Sequence, residues 1–137
     1  MSEKMKLAVD TGSITVELED KNGNVIGEFE FVPNDSDILK RFDAVVEAMN
    51  NMQFGDSPTA EAVAQASNAV REQFDFLLGG KVSEGIFAKC GPFTVVKSGN
   101  FFFEEVLEGI GGLIESTTKQ RINKKLAKAR KAAAKYQ

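Results

Sequence analysis

The chain has 137 residues, 42% of them apolar, and contains no histidine and one cysteine, Cys90. It therefore lacks the usual proton shuttle near neutral pH and the commonest metal ligand, which excludes histidine-dependent catalytic triads and ordinary structural zinc sites. The net charge of −3 is unevenly distributed, because residues 116–137 hold eight basic and no acidic residues, whereas residues 1–115 hold nine basic and twenty acidic ones.

Residues 5–32 predict a β-hairpin. The apolar residues of its first strand alternate with polar ones, as in a half-buried strand, with a bend at Thr11-Gly12; they are Leu7, Val9, Ile14, Val16 and Leu18. Asn22-Gly23 predicts a two-residue turn, because both residues tolerate positive φ. We expect Val25, Phe29 and Phe31 on one face of the return strand. An isolated hairpin is barely stable in water, so this face should pack on helices or on another subunit.

Four helices are predicted next, at about residues 35–53, 58–78, 83–90 and 100–115. Ser57-Pro58 is expected to begin the second helix and Gly79-Gly80 to end it. The glycines at 109, 111 and 112 are interpreted as helix punctuation, because they lack the lysine spacing of a phosphate-binding loop. The sequence thus predicts an α+β, mostly α-helical fold: a hairpin and about four bundled helices in an acidic domain, 1–115, and a basic helical arm, 116–137.

The basic arm is predicted to be an amphipathic helix, since it is rich in alanine and lysine. On a helical wheel its apolar residues form a thin seam, made of Ile122, Leu126, Ala129, Ala133 and Tyr136. Lysines form a stripe on the opposite side, at Lys124, Lys128, Lys131 and Lys135. Three interpretations remain open: a solvated tail, a helix that docks on an acidic protein surface, or a contact with nucleic acid or an anionic membrane. The acidic domain disfavours the third, because it would repel phosphates.

Most of the eleven phenylalanines are expected in the core. Phe101, Phe102 and Phe103 are the exception, because three consecutive helical residues cannot all face inward, so at least one should project towards solvent or a partner. The carboxylates Asp35 and Asp37, and Glu104, Glu105 and Glu108, are interpreted as helix caps and a solvated face rather than acid/base pairs. Asp75 has largely apolar neighbours and remains open.

No residue pattern indicates catalysis, a cofactor or a metal, so we expect a protein that is not an enzyme. A single cysteine fits a reducing compartment. The polar start of the chain and the lack of an apolar run of about 18 residues argue against a signal peptide and a membrane span. These features predict a cytoplasmic protein.

The order of segments resembles a known family. It runs from the hairpin through residues 35–49 (DSDILKRFDAVVEAM) and 74–80 (FDFLLGG) to the short segment 83–87 (SEGIF) and a final Phe- and Glu-rich helix. This order is similar to that of the small tail assembly chaperones of long-tailed bacteriophages (siphophages) and prophages, especially those of Gram-positive hosts. The resemblance covers residues 5–115 and, more loosely, the arm. The thirty-residue hairpin departs from the mainly helical members and implies a divergent branch.

The resemblance implies a non-enzymatic assembly factor that binds the tape measure protein, keeps it soluble, helps recruit tail tube protein and is absent from the finished virion. The chain would match the shorter of the two forms that frameshifting produces in many members. The acidic domain and basic arm are compatible with head-to-tail contacts in a homo-oligomer. The alternatives are a structural tail or head-tail connector component of the virion, and a small nucleic-acid-binding protein that acts through the arm.

Overall fold

The fold is α+β and mostly helical, which confirms the predicted class. The computed structural model describes residues 3–52 and 58–134. The elements in chain order are β1 (Ile14–Glu19), β2 (Val25–Phe31), α1 (Ile38–Asn50), α2 (Ala60–Leu78), α3 (Ser83–Ile86) and α4 (Phe102–Ala134).

The two strands form an antiparallel hairpin in which Ile14 lies opposite Phe31. The first strand was predicted from residue 5, but β1 begins only at Ile14, and residues 3–10 are exposed and lie outside any strand. Pro33 explains the difference. Residues before Ile14 would have to pair with residues after Phe31, where proline removes a backbone donor and α1 soon begins.

The connection between the strands is longer than the predicted two-residue turn, because it spans residues 20–24. Only Gly23 has positive φ, at 82°. The Asp20 carboxylate accepts hydrogen bonds from the backbone N–H groups of Asn24 and Asn22, which lower the pKa of Asp20. The strand register shifts between Leu18 and Glu19. Val25 was expected on the same face as Phe29 and Phe31. This prediction is wrong, because the Val25 side chain lies beside the register shift and is 56% exposed.

Helix α1 begins after a short turn in which the Asp35 carboxylate accepts a hydrogen bond from the Asp37 backbone N–H at 2.9 Å. Arg41 on α1 connects this turn with α2. Its guanidinium binds the Asp35 carboxylate at 3.3 Å and donates a hydrogen bond to the Leu77 carbonyl at 3.0 Å. The N–H of Asp37, followed by the Arg41 guanidinium, holds the pKa of Asp35 below its ordinary value. The Asp35 carboxylate therefore stabilises the turn before α1. The prediction that Asp35 and Asp37 cap the helix is wrong, because the N-cap is Asp37 and its side chain makes no capping hydrogen bond.

Helix α2 begins two residues later than predicted. Its N-cap is Thr59, whose hydroxyl accepts a hydrogen bond from the Ala62 N–H at 3.1 Å; the Ser57 of the predicted start lies outside the described residues. At the other end Gly79 adopts the left-handed conformation, with φ of 80°. This geometry ends α2 at Leu78 and confirms the predicted boundary.

Asp75 holds the start of α3. Its carboxylate accepts hydrogen bonds from the backbone N–H of Ser83 at 2.8 Å and from the Ser83 hydroxyl at 3.1 Å. The role of Asp75, which the sequence left open, is thus to cap α3 from the preceding helix. The short α3 ends at Ile86 rather than near residue 90.

The core lies between the hairpin, α1, α2 and the first half of α4. Gly27 on β2 and Gly85 on α3 let two backbones touch, because a Cβ atom at either glycine would overlap the other chain segment. The buried apolar side chains are Phe29, Phe31, Ile38, Val45, Val70, Phe74, Leu77, Leu78, Ile86, Phe87, Phe103, Val106, Leu107, Ile110 and Ile114. The hairpin therefore packs its Phe face on helices, as its marginal stability requires.

The predicted helix at 100–115 and the predicted basic arm are one helix. Helix α4 runs from Phe102 to Ala134 and crosses the compositional boundary at Ser116 without a break. The three glycines, interpreted as punctuation, lie inside it. Burial of the neighbouring Val106, Ile110 and Ile114 outweighs the poor helix propensity of glycine.

Candidate partner-binding surface

The first half of α4 is held to the protein by its apolar face. Phe103, Val106, Leu107, Ile110 and Ile114 recur every three or four residues and are at most 9% exposed. This spacing places them on one side of the helix, against the hairpin and α1. The exposed Glu104, Glu105 and Glu108 lie on the other side.

Two hydrogen bonds mark the end of this anchored half. The Thr118 hydroxyl accepts a hydrogen bond from the Asn34 side chain at 2.6 Å and donates to the Ile114 carbonyl at 2.7 Å. One turn later the Arg121 guanidinium donates to the Gly12 carbonyl at 3.0 Å. These contacts attach α4 to the segments that precede α1 and β1.

Beyond Arg121 the helix leaves the body of the protein. Every residue from 122 to 132 is exposed, and no side-chain hydrogen bond or ion pair involves any of them within the described ranges. We call residues 122–132 the overhang. At about 1.5 Å per residue it extends roughly 16 Å. Its seam residues Ile122 and Leu126 are 52% and 49% exposed, so they are available to a partner.

The predicted basic stripe lies on this overhang. Lys124, Lys128 and Lys131 are all exposed. Lys135 and Tyr136, which the sequence assigns to the stripe and the seam, lie outside the described residues. The part of the arm that the structure describes has the predicted amphipathic arrangement: a narrow apolar seam on one side and cations on the other.

Phe101, Phe102 and Phe103 lie at the opposite end of the same helix. All three rings contact other rings: Phe101 and Phe103 both pack edge-on to Phe93, at 5.1 and 5.3 Å, and Phe102 lies 6.0 Å from Phe87. At least one of them was expected to project towards solvent or a partner; Phe103 is buried, whereas Phe101 and Phe102 are only partly buried. The three do not share one helix face, because Phe101 precedes the helix and bridges to Val95. These residues and the overhang do not form a joint site.

Two of the glutamates predicted to form a solvated face also accept hydrogen bonds from the residues that precede α4. A Glu104 carboxylate oxygen accepts a hydrogen bond from the Phe101 N–H at 2.9 Å, and Glu105 accepts one from the Ser98 hydroxyl at 2.8 Å. Negative charge is favourable here, because the start of a helix carries partial positive charge. Among the residues that the structure describes, no group of three or more potential ligands is arranged to hold a metal ion.

The sequence did not reveal a furrow between α1 and α4. Two open cavities of about 320 and 420 Å³ share Phe42 at their boundary and continue along both helices. Gly111 lies against Phe42, since a Cβ atom there would be 3.1 Å from the ring. The furrow has an apolar floor with acidic residues beside it; its lining includes Leu39, Phe42, Val46, Met49, Phe103, Glu104, Leu107, Glu108, Gly111, Ile114 and Glu115. The paired glycines were the only sequence signal for this close helix approach.

Comparison with protein-family models, curated proteins and solved structures found no match. Over the described residues, no helix combines the length and the apolar character that crossing a membrane requires.

Proposed function

We propose that the chain is a non-enzymatic phage tail assembly chaperone, which acts in the host cytoplasm, binds the tape measure protein and helps recruit tail tube subunits. The family resemblance of residues 5–115 supports this function. The observation that carries it is the overhang: an amphipathic helix that extends beyond its own body and exposes Ile122 and Leu126, the two large side chains of its seam. A protein whose task is to hold another chain needs such a surface and needs no catalytic group.

The overhang fits a helical client. Tape measure proteins are long helices in the family that the chain resembles, and two helices pack closely when the residues between them are small. The seam consists largely of alanine, with Ile122 and Leu126 as its two large side chains. The basic residues beside the seam attract an acidic client surface, and this attraction should weaken with salt.

The furrow supplies a second surface for the same client. Its floor includes Met49 and Phe42, and a flexible methionine adapts to different apolar partners. Helix-in-groove recognition uses an apolar floor of this kind. Glu104 and Glu108 beside the floor would favour basic stretches of the client, although Glu115 is paired with Lys119 at 3.1 Å. The overhang would favour acidic stretches.

Co-expression with the tape measure protein of the same phage or prophage tests the proposal. The chaperone should keep the tape measure protein soluble and be recovered with it. The double variant Ile122→Asp, Leu126→Asp should lose at least about tenfold in affinity, because it places charges in the apolar seam. The matched control Asn123→Asp, Ala127→Asp adds the same charge to the overhang away from the seam and should bind nearly normally.

Equal affinity of both double variants for the tape measure protein would show that the seam is not part of the interface. A tape measure protein that stays insoluble with the wild-type chain would contradict the function itself. Mass spectrometry of purified particles distinguishes the structural alternative, since an assembly chaperone should be absent from the mature virion.

The five exposed cations of the overhang favour one further candidate, a nucleic-acid-binding protein; they are Lys124, Lys125, Lys128, Arg130 and Lys131. Retention on a DNA column that falls steeply with salt would support it. Lack of retention at low salt would eliminate it.

A further inference from the structure

Residues 3–10 have the pattern of a β-strand but no strand beside them. Met5, Leu7 and Val9 are 91%, 88% and 69% exposed, which is more than any other large apolar side chain described. They alternate with Lys4 and Lys6. A period of two places the apolar and charged residues on opposite faces of an extended chain.

One edge of the hairpin is open to such a strand. Among the described residues β1 pairs with β2 alone, so its other edge has no strand neighbour. The outer side of β2 is not equally accessible, because Gly27 there touches the backbone of α3 at Gly85. An added strand therefore fits beside β1, where unpaired backbone groups invite pairing.

The two faces of β1 match the two faces of this segment. On the inner side a cavity of about 370 Å³ lies between the hairpin and α4; its lining is mostly apolar, including Val16, Leu18 and Leu113, and also contains Glu19 and Glu105. On the outer side Glu17 is exposed. A strand carrying Met5, Leu7 and Val9 inward and Lys4 and Lys6 outward would cover the cavity and place opposite charges side by side, which favours cross-strand pairing.

The segment does not reach β1 of its own chain. It is joined to β1 by residues 11–13, where the Asp10 carboxylate accepts a hydrogen bond from the Gly12 N–H at 2.8 Å. The Gly12 carbonyl is in turn bound by Arg121 on α4. This anchored connection leaves residues 3–10 exposed instead of folded back over the cavity.

We propose that residues 4–9 of one copy add a third strand to the β1 edge of a second copy. Because both copies carry a segment and an open edge, the exchange can be reciprocal and can form a closed two-fold dimer. The dimer does not depend on the proposed chaperone function. A failure to bind the tape measure protein would therefore leave the strand exchange untouched, because the exchange is tested by a separate experiment.

Sedimentation of the full chain compares two variants with the same added charge. Leu7→Lys places a cation over the apolar cavity and should weaken dimerisation by about 100-fold. The neighbouring Ala8→Lys places it on the outer face, which carries Glu17, and should preserve the dimer. Both variants should keep the wild-type helical signal in circular dichroism, because residues 3–10 are exposed in the single chain and lie outside its helices. A monomeric wild type, or equal dimerisation of the two variants, would overturn the proposal.

Disulfide cross-linking locates the contact. In a Cys90→Ser background, one tagged copy carries Lys6→Cys and a differently tagged copy carries Glu17→Cys. Oxidation of the mixture should give a covalent dimer that contains both tags, whereas replacing Glu17→Cys by Glu72→Cys on α2 should give none. The absence of mixed dimers would overturn the exchange. A double-cysteine chain that forms the bond only within itself would show instead that the segment folds back on its own β1.

Discussion

The two halves of α4 are stable for opposite reasons. Residues 102–118 contain three glycines, which are poor helix formers, yet this half is helical because one side of it is buried. The overhang has no buried side but is rich in alanine, lysine and arginine, which favour the helix by themselves. The comparison shows that a continuous helix need not have a single source of stability. Where packing is available the sequence uses flexible glycine, and where packing ends it uses strong helix formers.

The same difference sets what each half can do. The anchored half cannot release its apolar face without exposing core residues such as Ile110, which is 2% exposed. The overhang can bind and release a partner without disturbing the core. Its own order should be limited by fraying from the C-terminal side, because an unsupported helix of about a dozen residues is marginal in water.

The largest expected effect on stability comes from replacing an isoleucine by alanine, once in each half of α4. Ile114→Ala removes a side chain that is 4% exposed and should lower the free energy of unfolding by about 2–4 kcal/mol, through lost burial and the cavity left behind. Ile122→Ala, at a side chain 52% exposed, should change it by less than about 0.5 kcal/mol. Urea denaturation measures both values. Similar losses at the two positions would mean that the overhang is packed against the body.

The junction between the halves can be tested at two neighbouring threonines. Thr118→Val removes the hydroxyl that links α4 to Asn34 and leaves the amide with neither of its polar atoms paired, so it should cost about 1–3 kcal/mol. Thr117→Val is the matched control, because the Thr117 hydroxyl binds only carbonyls of its own helix, those of Leu113 and Ile114. Thermal unfolding of the pair should therefore differ. Equal melting temperatures would show that the link to Asn34 contributes nothing.

The glycines of the anchored half should respond unequally. Gly112→Ala meets no atom within 4 Å and should stabilise the protein by about 1 kcal/mol, the difference in helix propensity. Gly111→Ala should gain less, since its new Cβ atom would lie 3.1 Å from the Phe42 ring and would narrow the furrow. Chemical denaturation gives the stability of each variant. A larger gain at Gly111 would indicate that Phe42 moves freely.

The smallest effect should come from acid acting on Asp35, in the turn before α1. Hydrogen bonding lowers the pKa of Asp35 below its ordinary value of 3.8, so its stabilising contribution is present above that value and is lost as the pH falls through the lower, folded-state pKa. Asp35→Asn should reduce this loss. The measurement is the melting temperature against pH from 6 to 2, with helical content followed by circular dichroism. An identical slope for wild type and variant would contradict the role of Asp35.

Local chemistry made several parts of the fold predictable. The α+β class and the end of α2 at Gly79 follow from short-range patterns whose physical effect acts within a few residues. The amphipathic arrangement of the overhang follows from its wheel in the same way. The binding residues proposed for it remain a prediction, because their partner is outside the chain.

Features that depend on distant residues were not predictable. The late start of β1 depends on Pro33, just after the end of the opposite strand, and the ring contacts of residues 101–103 depend on where α4 begins. The close approach of Gly27 to Gly85 joins segments nearly sixty residues apart. The furrow likewise exists only when α1 and α4 are placed together. In each case the residue could be identified in the sequence, but the distant residue that it contacts in the fold could not.

Continuity of α4 across Ser116 also fixes the direction in which the seam faces. Each added residue turns an α-helix by about 100° and lengthens it by about 1.5 Å. One residue inserted after Arg121 would therefore rotate the seam by more than a quarter turn relative to the furrow while hardly changing its reach. Seven inserted residues would nearly restore its angle and carry it about 10 Å further out. The direction in which the seam faces is thus set by the number of residues in α4. For a partner that contacts both the seam and the furrow, this direction matters as much as the composition of the seam.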